Sequence, residues 1–125
     1  MLRLNLMQTR FDSALKQGPV FLLLVVLLGG CSHPAYRDGL DYMAAGKKEE
    51  GVASLEKAAR DRPRDAEIKA AMIRHKGESV DAYLDDADRQ RTAGNLDASE
   101  AAYRRALGID GRNTRAAQGL EQLAV

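Results

Sequence analysis

The chain has 125 residues, with 19 Lys and Arg against 18 Asp and Glu, one cysteine and no tryptophan. That length holds one small domain. The near-neutral balance, with its charges interspersed, speaks against a nucleic-acid-binding face, and one cysteine excludes an internal disulfide. Aromatic residues make up only 5% of the chain, so any core is thin and built mostly from small aliphatic side chains.

At the N-terminus a basic stretch containing Arg3, Arg10 and Lys16 precedes nine apolar residues, Val20 to Leu28, followed by Gly29, Gly30 and Cys31. A positive region, a short apolar run and small residues, in that order, are the anatomy of an export signal. The apolar run is shorter than the roughly 20 residues a membrane-spanning helix takes. Leu28-Gly29-Gly30-Cys31 resembles the lipobox of bacterial lipoproteins, where signal peptidase recognises the residues before the cysteine and the cysteine carries lipid. The resemblance implies a signal peptide over 1–30, a lipidated tether over 31–34 and a helical domain over 35–125. It also implies that Cys31 is alkylated, which disposes of a stray thiol in an exported protein. Met7 is an alternative start that keeps Arg10 and Lys16. Loss of residues 1–30, with Arg3, Arg10, Lys16 and Asp12, leaves a net charge of −1. Ser32 after the cysteine is similar to the enterobacterial pattern for outer-membrane sorting, implying a lipid-anchored protein on the periplasmic face of that membrane.

From Ala35 onward the patterns are helical, and no segment alternates like a strand, so the predicted class is all-α. Pro34 stands where a helix tolerates proline, and Tyr36, Leu40 and Met43 lay an apolar stripe along a helix to Ala45 that Gly46 ends. A second helix over Lys48 to Arg60 puts Val52, Leu55 and Ala59 on one face, with Glu56 and Arg60 positioned to pair at i, i+4. Pro63 ends it. Asp65 is a good N-cap for one long helix over Ala66 to Ala93, with an inner stripe of Ile68, Met72, His75, Ser79, Tyr83, Ala87, Gln90 and Ala93. The alternative is two helices broken around Lys76-Gly77-Glu78-Ser79, with Ser79 capping the second. Gly94-Asn95 turns the chain into a helix with Leu96, Ser99, Tyr103 and Ala106 inward, ending near Gly108 or Gly111. Asn113 caps a final helix with Ala117, Leu120 and Leu123 inward.

The stretch Gly94–Asn113 echoes Gly46–Asp65 at a constant offset of 48: Gly94 matches Gly46, Ala101 matches Ala53, Tyr103 answers Leu55, Ala106 matches Ala58 and Arg112 matches Arg64. Repeats of this size bury their apolar faces on their neighbours. The second unit resembles a tetratricopeptide repeat, with Tyr83, Ala87, Gly94, Leu96, Tyr103 and Ala106 in the motif's aromatic, small and turn slots. It departs from the motif at Asp86, Gln90, Ser99 and Gly111. The first unit matches through Gly39, Tyr42, Gly46, Leu55, Ala58 and Pro63, and departs at Lys48 and Gly51. The resemblance implies about two helical hairpins plus a C-terminal capping helix, and a groove lined by Tyr42, Asp86 and Gln90. The plain alternative is an Ala-rich helical bundle. A lipobox followed by two such hairpins is also similar to the N-terminal region of secretins, the outer-membrane channel subunits of type II secretion and type IV pilus systems.

No catalytic set assembles from the sequence. His33 and His75 are isolated, and no serine has a histidine at a suggestive spacing. Asp81, Asp85 and Asp88 form a carboxylate stripe, but it has neither backbone carbonyls nor a glycine loop to hold a cation, and Arg89 is spaced to pair with Asp85. The sequence therefore predicts a non-enzymatic envelope lipoprotein without cofactor or metal. Its expected partners are the membrane, through the lipid on Cys31, and an unidentified protein or peptide, in secretion or pilus assembly. The alternatives are the leading fragment of a secretin-type channel subunit and a structural lipoprotein that associates with itself.

Overall fold

The computed structural model describes residues 33–124, so Leu28, Gly29, Gly30 and Cys31 lie outside the described residues. Five helices follow one another in that part: α1 (Pro34–Ala44), α2 (Lys48–Asp61), α3 (Ala66–Thr92), α4 (Leu96–Ile109) and α5 (Thr114–Leu123). The described residues contain no strand. None of these helices is long and apolar enough to cross a membrane.

Pro34 occupies the first turn of α1, where its missing N–H costs nothing. Gly46 and Gly94 end α1 and α3 with φ of +76° and +80°, the left-handed conformation that favours glycine. Both close the same double-bonded cap. Lys47 N–H donates to the Tyr42 carbonyl and Gly46 N–H to Met43, as Asn95 N–H donates to Gln90 and Gly94 N–H to Arg91. Asp65 accepts from the N–H groups of Glu67 and Ile68, and Asn113 accepts from Ala116 N–H.

The 48-residue offset extends to the architecture. α2 and α4 begin and end 48 residues apart, as do the starts of α3 and α5. Buried positions follow the same spacing: Gly39 and Ala87, Gly51 and Ser99, Leu55 and Tyr103, Ala58 and Ala106, Ile68 and Ala116, Ala71 and Gly119. α1 packs mainly along α2, and the C-terminal part of α3 along α4. In the first copy the contact is made through glycine. A Cβ on Gly39 would come within 2.8 Å of Leu55 Cγ, and one on Gly51 within 2.5 Å of Met43 Sδ. In the second copy Val80, Leu84, Ala87, Ala102, Tyr103, Ala106 and Ala116 form one cluster around the buried Tyr103 ring.

α3 runs as one long helix unbroken through Gly77, in line with the main sequence reading and not with a break around Lys76-Gly77-Glu78-Ser79; Gly77 is an exposed position where an added Cβ would meet nothing. Other expectations are corrected. Leu96 is 51% exposed because it sits at the first residue of α4, beyond the reach of α3. Ala93 belongs to the turn and is exposed. In α5 the buried positions are Ala116 and Gly119, with Ala117 exposed, a rotation that brings Gly119 against the Tyr103 ring. Glu56 pairs with Lys76 of α3 at 2.7 Å instead of Arg60, and Arg89 reaches Asp86 instead of Asp85.

Candidate interaction surface

The residues expected to line a groove occupy two helices. Tyr42, 38% exposed, lies in the last turn of α1 with the Lys47 ammonium 5.7 Å from its ring centroid. Gln90 is its counterpart 48 residues on, and its side-chain oxygen accepts from Asn95 Nδ2 at 2.9 Å. Asp86, one turn before Gln90 on α3, accepts from Arg89 at 3.2 Å. Asp86 and Gln90 thus lie one turn apart on α3 and Tyr42 lies on α1, and among the described residues no hydrogen bond or ion pair joins any two of the three.

Two of the three carboxylates of the stripe, Asp85 and Asp88, are already engaged. Arg115 of α5 reaches Asp88 at 2.5 Å and Asp85 at 3.4 Å, and Arg91 lies 3.6 Å from Asp88. The Tyr103 hydroxyl also donates to Asp88. That hydrogen bond, then Arg115, holds the Asp88 carboxyl below the usual carboxylate range. Arg91 further donates to Gln122 at 3.1 Å. The stripe therefore fastens α4 and α5 to α3. Among the described residues no three His, Cys, Asp or Glu side chains converge as metal ligands.

Tyr83 joins the two copies. Lys48 of α2 and Arg105 of α4 lie 5.6 and 5.9 Å from its ring, within cation–π range. Burial, then the Glu49 carboxylate, pushes its phenol up to about 12.

The surface that sequence reasoning missed lies on α3 itself. Ala66, Ala70, Ile73, Gly77, Val80, Leu84 and Ala87 recur at alternating spacings of four and three, which keeps them on one helix face. The last three are buried with α4. The first four are exposed, and Ile73, at 65%, is the most exposed of the large hydrophobic residues. The exposed part stands 14 residues before the covered part, about 21 Å along the axis at 1.5 Å per residue. Beside it opens a groove of about 480 Å³ floored by Met72, Ile73, Gly77 and Val80 and edged by Lys76 and Asp110. The inner stripe read from the sequence, through Ile68 and Ser79, runs along the other side of the same helix and meets this run only at Ala87. Because α3 serves two helix pairs it needs two inner faces. The regular four-three run was the available signal.

Compared with protein-family models, with curated proteins and with solved structures, the chain shows no match.

Proposed function

We propose that this protein is a lipid-anchored, non-catalytic interaction module of the bacterial cell envelope, serving the assembly of a larger envelope complex such as a secretion or pilus machine. The anchor reading is supported by Leu28-Gly29-Gly30-Cys31 behind a nine-residue apolar run. The repeat reading is supported by two helix pairs at a 48-residue spacing, each closed by the same glycine cap. The observation that carries the interaction role is the exposed Ala66-Ala70-Ile73-Gly77 face, which continues the seat of α4 but holds none of the described helices. Such a face takes the apolar side of an amphipathic helix, read through anchors at i, i+3, i+4 and i+7.

A photo-crosslinking residue in place of Ile73, expressed in the producing bacterium, tests this. The expected result is a discrete crosslinked product that disappears when Ala70→Glu is added, while the same probe at the exposed Arg104 gives none. A product containing two copies of this chain would favour the self-associating structural lipoprotein. Equal labelling from both probe positions would end the proposal that this face is specific. For the anchor, Cys31→Ser should abolish incorporation of labelled fatty acid and release the protein from the membrane fraction. A Cys31→Ser protein that stayed with the membrane would refute it.

A further inference from the structure

The end of the domain from which the tether leaves is its basic end. His33 precedes α1, and its Nε2 lies 3.3 Å from the Asp61 carboxylate at the close of α2. Tyr36, one turn on, donates to Glu67 in the first turn of α3 at 3.2 Å. The start of α1, the end of α2 and the start of α3 therefore form one end of the helical layer. Arg60, Arg62, Arg64 and Lys69 are exposed there, with Arg37 on α1, and among the described residues none of these five has a carboxylate within ion-pair distance. The acidic groups at the same end are mostly engaged. Asp61 is shared by Lys57 at 2.7 Å and His33, Asp65 caps α3, and Glu67 holds the Tyr36 hydroxyl. Asp38, a turn along α1, has no such partner. In the opposite half Arg89, Arg91, Arg104 and Arg115 reach carboxylates, and Arg105 and Arg112 have none in ion-pair distance among the described residues.

We infer that this Arg60-Arg62-Arg64-Lys69 surface is a docking face for anionic phospholipid headgroups. It holds the domain with the α2–α3 turn against the bilayer and the far end of α3 away from it. The inference rests on the lipid anchor proposed for Cys31. A chain attached through Cys31 is two residues from His33, a reach of about 7 Å at full extension, so an anchor there keeps these arginines at the headgroup layer. Basic groups at that depth add attraction to anionic lipid that falls off within a Debye length. An acyl anchor and a basic patch together bind more firmly than either alone.

The test uses the full chain purified from membranes, carrying Ala66→Cys at the tether end or Ala98→Cys near the far end of α3, about 40 Å along it. Each is labelled with an environment-sensitive dye and reconstituted into phosphatidylcholine vesicles with or without phosphatidylglycerol. A lipidated Cys31 does not react with the dye, so labelling of the parent chain reports separately on the anchor. The expected result is that the dye at position 66 is shielded from an aqueous quencher only in the anionic vesicles, while the dye at 98 stays accessible in both. The combined Arg60→Gln, Arg62→Gln and Arg64→Gln variant should lose that shielding, keep its helical circular dichroism and remain vesicle-bound. Equal accessibility of the two sites, or shielding unchanged in the triple variant, would overturn the inference. If the parent chain labels at Cys31, the anchor reading fails, and the salt-dependent affinity of the unanchored chain for phosphatidylglycerol vesicles decides instead. That affinity should fall about fivefold per arginine and about a hundredfold for the triple variant. Binding to heparin without binding to these vesicles would mean a different polyanion and would also overturn it.

Discussion

The two halves of the domain share a backbone plan and differ in what holds it together. In the first, α1 meets α2 through Gly39 and Gly51, and the largest fully buried side chain is Leu55. In the second, Ala87 and Ser99 stand at those small positions, and Tyr103 replaces Leu55 with a buried ring whose hydroxyl binds Asp88. Caps and small contact residues persist across the copies because chain reversal and close helix approach depend on them. The bulk between the helices varies, because a core accepts different shapes if the volume is filled. The second half is further tied by Arg115 across Asp85 and Asp88, and among the described residues the first is tied by Glu56 to Lys76 and by His33 to Asp61.

Truncating the central side chain of each half should give the largest effects. Tyr103→Ala removes both the ring and the hydroxyl donor and should cost about 3–5 kcal/mol. Leu55→Ala, at the buried side chain that packs on Gly39, should cost about 2–4 kcal/mol. Urea unfolding followed by circular dichroism measures both. Equal losses would mean that the two halves are equally packed and would break the contrast between them.

The buried serines sharpen the comparison at a smaller scale. Ser99 Oγ donates to the Ala87 carbonyl at 2.8 Å, whereas Ser79 Oγ is buried with no hydrogen-bond partner among the described residues. Ser99→Ala should destabilise by about 1 kcal/mol, while Ser79→Ala should be neutral or stabilising, since it removes an unsatisfied hydroxyl. A comparable loss at both positions in the same unfolding experiment would contradict that assignment.

Gly77 lies on the exposed stretch of α3, where the two halves meet. Since a Cβ there touches nothing, Gly77→Ala should raise stability by about 1 kcal/mol. A lower midpoint would show that the position needs glycine for a reason other than helix propensity.

The smallest effect expected is on pH dependence, and it belongs to the second half. Asp88 is depressed, so its contribution is present above the unfolded carboxyl value, near about 3.9. It is lost as pH falls through the lower folded value. Tyr103, raised by burial and then by Asp88, acts in the opposite sense. Its contribution is present below about pH 10 and is lost as pH rises through the raised value. Asp88→Asn should flatten the acid limb of stability against pH, and an acid limb of unchanged slope in that variant would remove Asp88 as its source.

Much of the helical plan was legible from residues with a strong local meaning. Gly46 and Gly94 marked the turns, Asp65 and Asn113 the caps, and the 48-residue echo the repeated layout. The candidate surface was less legible. Ile73 and Leu96 carry the same apolar signal as Leu84 and Val80, and nothing local separates an apolar residue that finds a neighbour from one that does not. The groove residues Tyr42, Asp86 and Gln90 followed from a family register. Of these, the structure places Asp86 and Gln90 a turn apart and Tyr42 on another helix.

The sequence alone determined where the helices start and stop, because caps, glycine turns and prolines act within a few residues and need no distant partner. It also carries the strongest signal in the chain, the apolar run leading to Cys31. Only the tertiary structure decided how α3 is used. Its length was readable, but the division of one continuous stripe into a covered half and an open half depends on where α4 lands. That is set by side chains 12 to 30 residues away, from Ser99 to Arg115. The same holds for the end of the domain where α1 begins: the arginines of the α2–α3 turn lie beside it only because His33 and Tyr36 reach Asp61 and Glu67 across the fold.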